Sequence, residues 1–404
     1  MKQAALPLIV ALAVHGVLSA GVEAAPRLEQ RDGLPVVYLE GTPYEIGRQH
    51  GELLRESVRE CVAQVLGYFR SYLKVPVVRG MLVNWWLDRS WGHALPYIPK
   101  AYLEELKGLA DGSGVSLKEL WRLHAIPDRT YACSGLAVWG RATADGRLIH
   151  TRNLDWNIHA GVQRFATVFV VRPNGREPFV NVGWAGFIGT LTGVNAQQIS
   201  IGQVGAETVD LSYDGLPMPF LMRRVLEEAR SLDEAVAIIR DAPRTVGINY
   251  VVADAKIPQA AAIETSRSQC AIFQADDPKE HAVPYARPLA DAVFRSDTAV
   301  DPGVRDRQVA SKGAPSKPGI EPPRGSAYDV RYLGQAAGVL AHYGAIDVEA
   351  AKAILRAVAP DSNVQSVIIA WPELWVANAD GTVPAAQTVY RSLRLDELLA
   401  EKNR

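Results

Sequence analysis

YACSGL at residues 131–136 and TRNLDW at residues 151–156 flank an Asp-Gly turn at residues 144–147. An Asp-Gly pair between two strand-like runs is a strong signal for a β-hairpin. We therefore expect the second run to return beside the first and to bring Arg152 and Asp155 close to Cys133. The small residues on both sides of Cys133 leave room for another backbone segment or a ligand to approach the sulfur.

These three residue types could form a reactive thiol site. A cysteine reacts as its thiolate, and a neighbouring cation lowers the thiol pKa below its usual value of about 8.5. Arg152 is permanently charged and can supply that cation, while Asp155 can hold Arg152 or accept a hydrogen bond from an amine. The competing interpretation is a buried structural cysteine beside a surface Arg–Asp pair, and the residue types alone leave both open.

The composition argues against several classes of protein. The chain has 404 residues, of which 48% are apolar and 22% charged, as in a globular protein with one large or two medium domains. The formal net charge of −1 and the lack of a basic stripe argue against a nucleic-acid partner. Eight histidines without a His-Glu-x-x-His motif or clustered Cys/His spacing give little support for a metallohydrolase, and we expect no metal and no cofactor.

Residues 1–24 are predicted to be a signal peptide. Lys2 precedes an apolar run at residues 4–18, and VEA at 22–24 provides a small-residue cleavage site. The apolar run is short for a membrane span. We therefore expect a secreted or periplasmic protein without stable membrane insertion, with an uncleaved N-terminal anchor as the alternative.

Three cysteines are present in the chain. An odd number in an exported protein suggests one disulfide and one free thiol. If Cys133 is the reactive thiol, Cys61 and Cys270 are the candidate pair. The alternative, in which all three are reduced, is equally compatible with the sequence.

Residues 26–130 are predicted to be mostly helical. Thr42 and Glu45 have the spacing of a capping box, and a long helix is expected from there to about Tyr72. Gly47 and Gly51, four residues apart, would let another element approach that helix closely.

After Cys133 the pattern changes to strands, interrupted by helices near 217–229, 232–241, 327–342 and 347–358. The segment 299–325 has the composition of a surface loop. This order predicts an α+β sandwich with helices packed outside stacked sheets.

The Cys-Ser-Gly-Leu run, the hairpin and Arg-Asn-Leu-Asp-Trp resemble the mature start of certain N-terminal-nucleophile hydrolases. These are the choloylglycine hydrolase, acid ceramidase and penicillin acyltransferase group, and in particular the autoproteolytic acyltransferase/hydrolase family with the isopenicillin N acyltransferases, peptidase family C45. Further stretches resemble that family in the same order over nearly the whole mature chain: residues 41–51, 183–189, 193–195 and 249–254, followed by Glu264, Arg331-Tyr332 and Ser366 to Trp371.

The resemblance implies a four-layer αββα sandwich and self-cleavage between Ala132 and Cys133. A helical pro-segment, 25–132, would become the α chain, and 133–404 the catalytic β chain. The freed α-amine of Cys133, with a pKa of about 8, could then accept the thiol proton. The implied reaction cleaves or transfers the acyl group of a small N-acyl amide through a thioester, without a cofactor.

The resemblance also assigns roles to residues beyond the hairpin. It places oxyanion donors near the backbone of Gly205 and at an Asn position where this chain has Asp297. It places Arg331 near the nucleophile, and Asn249 and Trp156 at the substrate. An ionised Asp297 would repel an oxyanion, so it is either protonated, replaced by another donor, or the mark of a weak enzyme.

A different class of function remains compatible with these residues. The chain could keep the fold as a binding protein with little or no turnover, and Asp297 is the main support for that alternative. Acylated amino acids, penicillins, N-acyl lactones, bile-salt-like conjugates and lipid amides are all candidate substrates. Hydrolysis and acyl transfer are not distinguished.

Overall fold

The computed structural model describes residues 26–72, 78–126, 132–308 and 328–400. The predicted signal peptide, residues 127–131 before the expected cut, and residues 309–325 of the predicted loop lie outside the described residues. Within the described ranges, no helix has the length and apolarity needed to cross a membrane.

The described residues form fifteen strands and twelve α-helices. The strands are β1 Arg27–Arg31, β2 Leu34–Gly41, β3 Ala132–Val138, β4 Ile149–Asp155, β5 Ala166–Pro173, β6 Phe179–Trp184, β7 Thr192–Asn195, β8 Ile199–Gly205, β9 Ile248–Asp254, β10 Gln259–Thr265, β11 Cys270–Phe273, β12 Ala292–Arg295, β13 Asn363–Ala370, β14 Glu373–Asn378 and β15 Arg391–Arg394. The helices are α1 Pro43–Leu53, α2 Arg55–Tyr72, α3 Arg79–Ala94, α4 Lys100–Ser113, α5 Leu117–Ala125, α6 Met218–Glu228, α7 Leu232–Asp241, α8 Pro278–His281, α9 Pro302–Arg305, α10 Gly334–His342, α11 Val348–Val358 and α12 Leu395–Ala400.

Two sheets organise the molecule. A nine-stranded sheet has the order β1-β2-β5-β6-β7-β8-β9-β10-β11, and a six-stranded sheet has the order β12-β3-β4-β13-β14-β15. Neighbouring strands are antiparallel except β2 and β5, which are parallel. In the six-stranded sheet β3 and β4 pair so that Cys133 faces Leu154 and Gly135 faces Arg152. The predicted hairpin is therefore confirmed.

Four apolar clusters define the layers. One lies between the helices α1–α7 and the outer face of the nine-stranded sheet, and a second lies between α10, α11 and the six-stranded sheet. The other two join the inner faces of the sheets through side chains such as Val168 and Val367, or Val251 and Val293. The predicted α+β, four-layer αββα sandwich is confirmed.

The segment before Cys133 is mostly helical, as predicted, but the expected long helix is divided. The capping box of Thr42 and Glu45 is present, and the helix breaks at Leu54 into α1 and α2. The strands β1 and β2 precede these helices and complete the nine-stranded sheet, where β2 pairs with β5. The residues before the expected cut are thus built into the same sheet as those after it.

The predicted Cys61–Cys270 disulfide is wrong, because all three cysteines are free. Cys61 is buried on α2, which packs against α3, α4 and α5. Cys270 begins β11, the edge strand of the nine-stranded sheet, which pairs only with β10. Both cysteines contribute to the same apolar cluster, but neither is bonded to another cysteine. The all-reduced alternative is therefore the one that the structure shows.

The predicted close approach at Gly47 and Gly51 is confirmed, and the approaching element is α4. A Cβ atom on Gly47 would lie 1.9 Å from the carbonyl oxygen of Glu105. On the facing helix, a Cβ on Gly108 would lie 2.0 Å from the carbonyl oxygen of Tyr44. The two backbones touch along a seam that only glycine permits.

We predict that Gly47→Ala lowers the free energy of unfolding by about 3 kcal/mol or more, because the added methyl meets rigid backbone. The control is Gly67→Ala on α2, where no atom lies within 4 Å of the added Cβ. That variant should gain up to about 1 kcal/mol from helix propensity. Urea unfolding monitored by circular dichroism measures both, and equal effects of the two substitutions would contradict the seam.

Candidate active site

Cys133 is fully buried on β3, and its sulfur contacts two side chains. Nη2 of Arg152 lies 3.3 Å from Sγ, and the thiol donates to Oε1 of Gln203 at 3.6 Å. Burial raises the pKa of the Cys133 thiol to about 11, although Arg152 opposes that rise. The thiol in the intact chain is therefore protonated near neutral pH and needs a base before it can attack a carbonyl.

Arg152 is locked into place by the nine-stranded sheet. Its Nε donates to the carbonyl oxygen of Gln203 at 3.0 Å, and its Nη1 donates to Oγ1 of Thr192 at 2.9 Å. Its Nη2 also forms a short bond with Oε1 of Gln203. Gly202 leaves room for the aliphatic part of the Arg152 side chain, because a Cβ at residue 202 would lie 3.2 Å from Cγ of Arg152. The cation beside the sulfur is thus fixed by β7 and β8.

The backbone nitrogen of Cys133 is held by Asp297. The N–H donates to Oδ1 of Asp297 at 2.8 Å, and Oδ2 of Asp297 lies 2.9 Å from Nη2 of Arg331. This contact brings Asp297 to the nitrogen of the predicted nucleophile, where it accepts a hydrogen bond. The family resemblance, in contrast, implies a place at the oxyanion for this position.

Arg331 also holds the second carboxylate of the site. Its Nη1 donates to Oδ2 of Asp155 at 3.0 Å, and Asn363 donates to Oδ1 of Asp155 at 3.0 Å. Burial raises the pKa of Asp155 to about 7, while Arg331 and Asn363 oppose the rise. The sequence analysis expected Asp155 to bind Arg152 or an amine. In the structure the carboxylate of Asp155 pairs with Arg331 instead.

The structure brings together five of the predicted site residues: Cys133, Arg152, Asp155, Asp297 and Arg331. The predicted substrate residues lie around this group. Asn249 is buried and donates to the carbonyl oxygen of Ser296, next to Asp297, at 3.0 Å. Gly205 ends β8, opposite Ile248, and Trp156 follows Asp155 with its ring 6.4 Å from that of Phe69. Their role at the substrate stays a prediction.

Three polar residues of the site were not found from the sequence: Gln203, Thr192 and Asn363. Gln203 had a usable signal, because it is the one long polar side chain in β8, a strand whose residues are all buried. A buried glutamine is uncommon and calls for a bonding partner. Thr192 and Asn363 had no such signal, since their roles depend on which strands become neighbours.

Several known proteins are similar to this chain in sequence. The model of the family "acyl-coenzyme A:6-aminopenicillanic acid acyl-transferase" matches residues 142–283. Protein dcd1B of Dictyostelium discoideum is 29% identical over 267 residues, which span 60% of this chain and 52% of the relative.

Two enzymes are more distant relatives. The N-acylethanolamine-hydrolyzing acid amidase of Rattus norvegicus is 22% identical over 256 residues, which span 60% of this chain and 64% of the amidase. The acid ceramidase of Balaenoptera acutorostrata scammoni is 22% identical over 240 residues, which span 54% of this chain and 60% of the ceramidase. The chain therefore spans between about half and two thirds of the length of the relatives that it matches.

We predict that Arg331→Met lowers the free energy of unfolding by about 3–5 kcal/mol near neutral pH, because it leaves two buried carboxylates without their cation. Arg331 opposes the raised pKa of Asp155, so without Arg331 that pKa rises further in the folded protein and folding takes up protons. The deficit therefore shrinks as the pH falls through that raised value and grows as the pH increases.

The control is Arg240→Met, which removes a solvent-exposed partner of Asp241 and should leave stability unchanged. Thermal and urea unfolding at several pH values measure both variants. A deficit for Arg331→Met that does not vary with pH would contradict the paired-carboxylate interpretation.

Proposed function

We propose that the chain is an N-terminal-nucleophile hydrolase, a cysteine amidohydrolase or acyltransferase that acts on small N-acyl amides. One observation carries the proposal: a single residue, Cys133, presents its sulfur to Arg152 and its nitrogen to Asp297. An enzyme whose nucleophile and base belong to the same residue needs both of these atoms held in place. The name of the rat amidase, an N-acylethanolamine-hydrolyzing enzyme, supports an N-acyl amide as the substrate.

The proposal includes maturation by self-cleavage between Ala132 and Cys133. In the intact chain the Cys133 nitrogen is an amide and cannot act as a base. After the cut it is an α-amine with a pKa of about 8, which can take the thiol proton. The proposed products are an α chain, 25–132, and a β chain, 133–404, in a protein exported by a signal peptide at residues 1–24.

Turnover then follows from the positions of the two Cys133 atoms. The amine removes the proton from Sγ, and the sulfur attacks the amide carbonyl to form a tetrahedral intermediate. Collapse of the intermediate forms the thioester, and the amine gives its proton to the leaving nitrogen. Water or a second amine resolves the thioester and regenerates the thiol. Arg152, whose Nη2 lies 3.3 Å from Sγ, stabilises the thiolate that attacks and the thiolate that leaves when the thioester is resolved.

Buried polar contacts would keep the two proposed chains together after the cut. Glu105 of α4 pairs with Arg223 of α6 at 2.6 Å, with both side chains buried. His124 of α5 accepts a hydrogen bond from the backbone N–H of Ile188, and His50 of α1 accepts one from Gly186. These contacts join the segment before residue 132 to the segment after it, so cleavage need not release the α chain.

The alternative of a binding protein without turnover rested on Asp297. Its contact with the Cys133 nitrogen supplies a different reason for a carboxylate at this position, namely to orient the amine that acts as the base. A carboxylate at the amine is compatible with catalysis, whereas one at the oxyanion is not. We therefore favour the enzyme.

The first test is maturation together with activity. Intact mass of the wild-type protein should show two fragments, one beginning at Cys133, and a panel of N-acyl amides should release free amine. Cys133→Ala should remain a single chain and release none, because it lacks the nucleophile for both steps. A wild-type chain that stays uncut after prolonged incubation, or amidase activity in Cys133→Ala, would sink the proposal.

A second prediction concerns the pH profile of Asp297→Asn. The carboxylate beside the α-amine stabilises its ammonium form and so raises the pKa of the amine, which must be neutral to take the thiol proton. Removing that charge should move the acidic limb of the pH profile of kcat/KM to lower pH by about one unit.

Asp291→Asn is the matched control, because Asp291 pairs with the exposed Arg141 at 3.0 Å, away from Cys133. It should leave the acidic limb in place. A limb that stays fixed in Asp297→Asn, or that moves to higher pH, would show that Asp297 does not act on the amine.

A further inference from the structure

We propose that the side-chain amide of Gln203 donates, through Nε2, to the oxyanion of the tetrahedral intermediate formed at Cys133. The proposal rests on the proposed function and names a residue for a task that Asp297 cannot perform as an anion. It begins from an unpaired donor: Nε2 of Gln203 is buried and has no hydrogen-bond partner among the described residues.

The orientation of the amide follows from Arg152. Oε1 of Gln203 faces Nη2 of Arg152 and the Cys133 thiol. A guanidinium has only donors, so the oxygen of the amide must face it, and Nε2 must occupy the other side. Arg152 therefore sets the direction in which Gln203 offers its N–H groups.

The charged residues around Cys133 are poorly suited to donate to the oxyanion. Asp297 is occupied by the Cys133 nitrogen and by Arg331, and an ionised carboxylate there repels a developing negative oxygen. Each nitrogen of the Arg152 guanidinium already has a partner, which is the Gln203 carbonyl oxygen, the Thr192 hydroxyl or the Cys133 sulfur. Gln203 is the neutral amide that contacts the sulfur, so a carbonyl attacked by Sγ comes within its reach.

Other unpaired polar atoms nearby fit the task less well. The unpaired atom of Asn249 is Oδ1, which can only accept, and its Nδ2 is bonded to Ser296. Ser134 follows Cys133 on β3, so its side chain points to the opposite face of the sheet. The hydroxyl of Ser296 is buried and has no partner among the described residues, so the experiment tests it as a competing donor.

The test uses Gln203→Met and Gln203→Glu in the full-length protein. Methionine keeps the length of the side chain and removes the amide. Glutamate keeps an oxygen for Arg152, removes the donor and adds negative charge. Both should lower kcat by about 10²- to 10³-fold with little change in KM, which is the loss seen when one oxyanion donor is removed.

Two controls separate this effect from structural damage. Gln335→Met removes another fully buried glutamine, whose Nε2 donates to the carbonyl oxygen of Arg295 at 3.1 Å, and should keep turnover within a few fold. Ser296→Ala tests the competing hydroxyl and should do the same. A loss of kcat in Ser296→Ala with none in the Gln203 variants would transfer the role to Ser296 and overturn the proposal.

A tetrahedral adduct gives a readout that a structural role would not move. An aldehyde that replaces the scissile acyl amide of a substrate forms a hemithioacetal with Cys133, and its oxygen occupies the oxyanion position. Its inhibition constant should weaken in Gln203→Met in parallel with kcat/KM, while a non-reactive amide analogue should bind unchanged. Equal weakening of both ligands would mean that Gln203 only shapes the pocket, and would overturn the proposal.

Maturation is measured separately by intact mass, and kcat is normalised to the fraction of protein that is cleaved before Cys133. A variant that does not cut itself receives a site-specific protease sequence ending at residue 132, so that the protease exposes Cys133. Wild-type protein that is uncut and inactive defeats the proposed function. Active wild-type protein with Gln203 variants within roughly threefold of it defeats this inference alone.

Discussion

The ion pair between Arg331 and two buried carboxylates is the constraint on which the site depends. Arg331 holds Asp155 at the end of β4 and Asp297 beyond β12, so one guanidinium ties both sides of β3 together. Buried charges are costly unless they are paired with good geometry. With Arg331 between them, Asp297 can hold the Cys133 nitrogen without leaving an uncompensated charge in the core.

The two cations of the site lie beside different atoms of Cys133, the proposed nucleophile. Arg152, fixed by the nine-stranded sheet, faces the sulfur, while Arg331 acts on the nitrogen through Asp297. The sulfur and the nitrogen thus have different nearest charged groups although they belong to one residue. The two surroundings are nevertheless coupled, because Asp155 and Asp297 also raise the pKa of the Cys133 thiol, against the effect of Arg152.

The sequence predicted the local features well and the long-range ones poorly. The hairpin that joins Cys133 to Arg152 follows from a turn signal and a two-residue period, and both act over short distances. The separation of Asp155 from Arg152 could not be foreseen, because Asp155 finds its cation on a segment 176 residues away. Gln203 was missed for the same reason: its importance arises only when β8 packs across β3. The disulfide failed because cysteine counts carry no information on spatial separation.

The segment before residue 132 is a structural part of the same two-sheet fold as the residues after it. β2 lies between β1 and β5 in the nine-stranded sheet, so its loss would expose the hydrogen-bonding edge of β5. The glycine seam between α1 and α4 supports the helical layer over that sheet, and Glu105 of α4 reaches Arg223 beyond the cut. Cleavage before Cys133 would therefore change the chemistry of one nitrogen while the fold around it is retained. The same contacts that assemble the uncut chain would position the mature amine against Asp297.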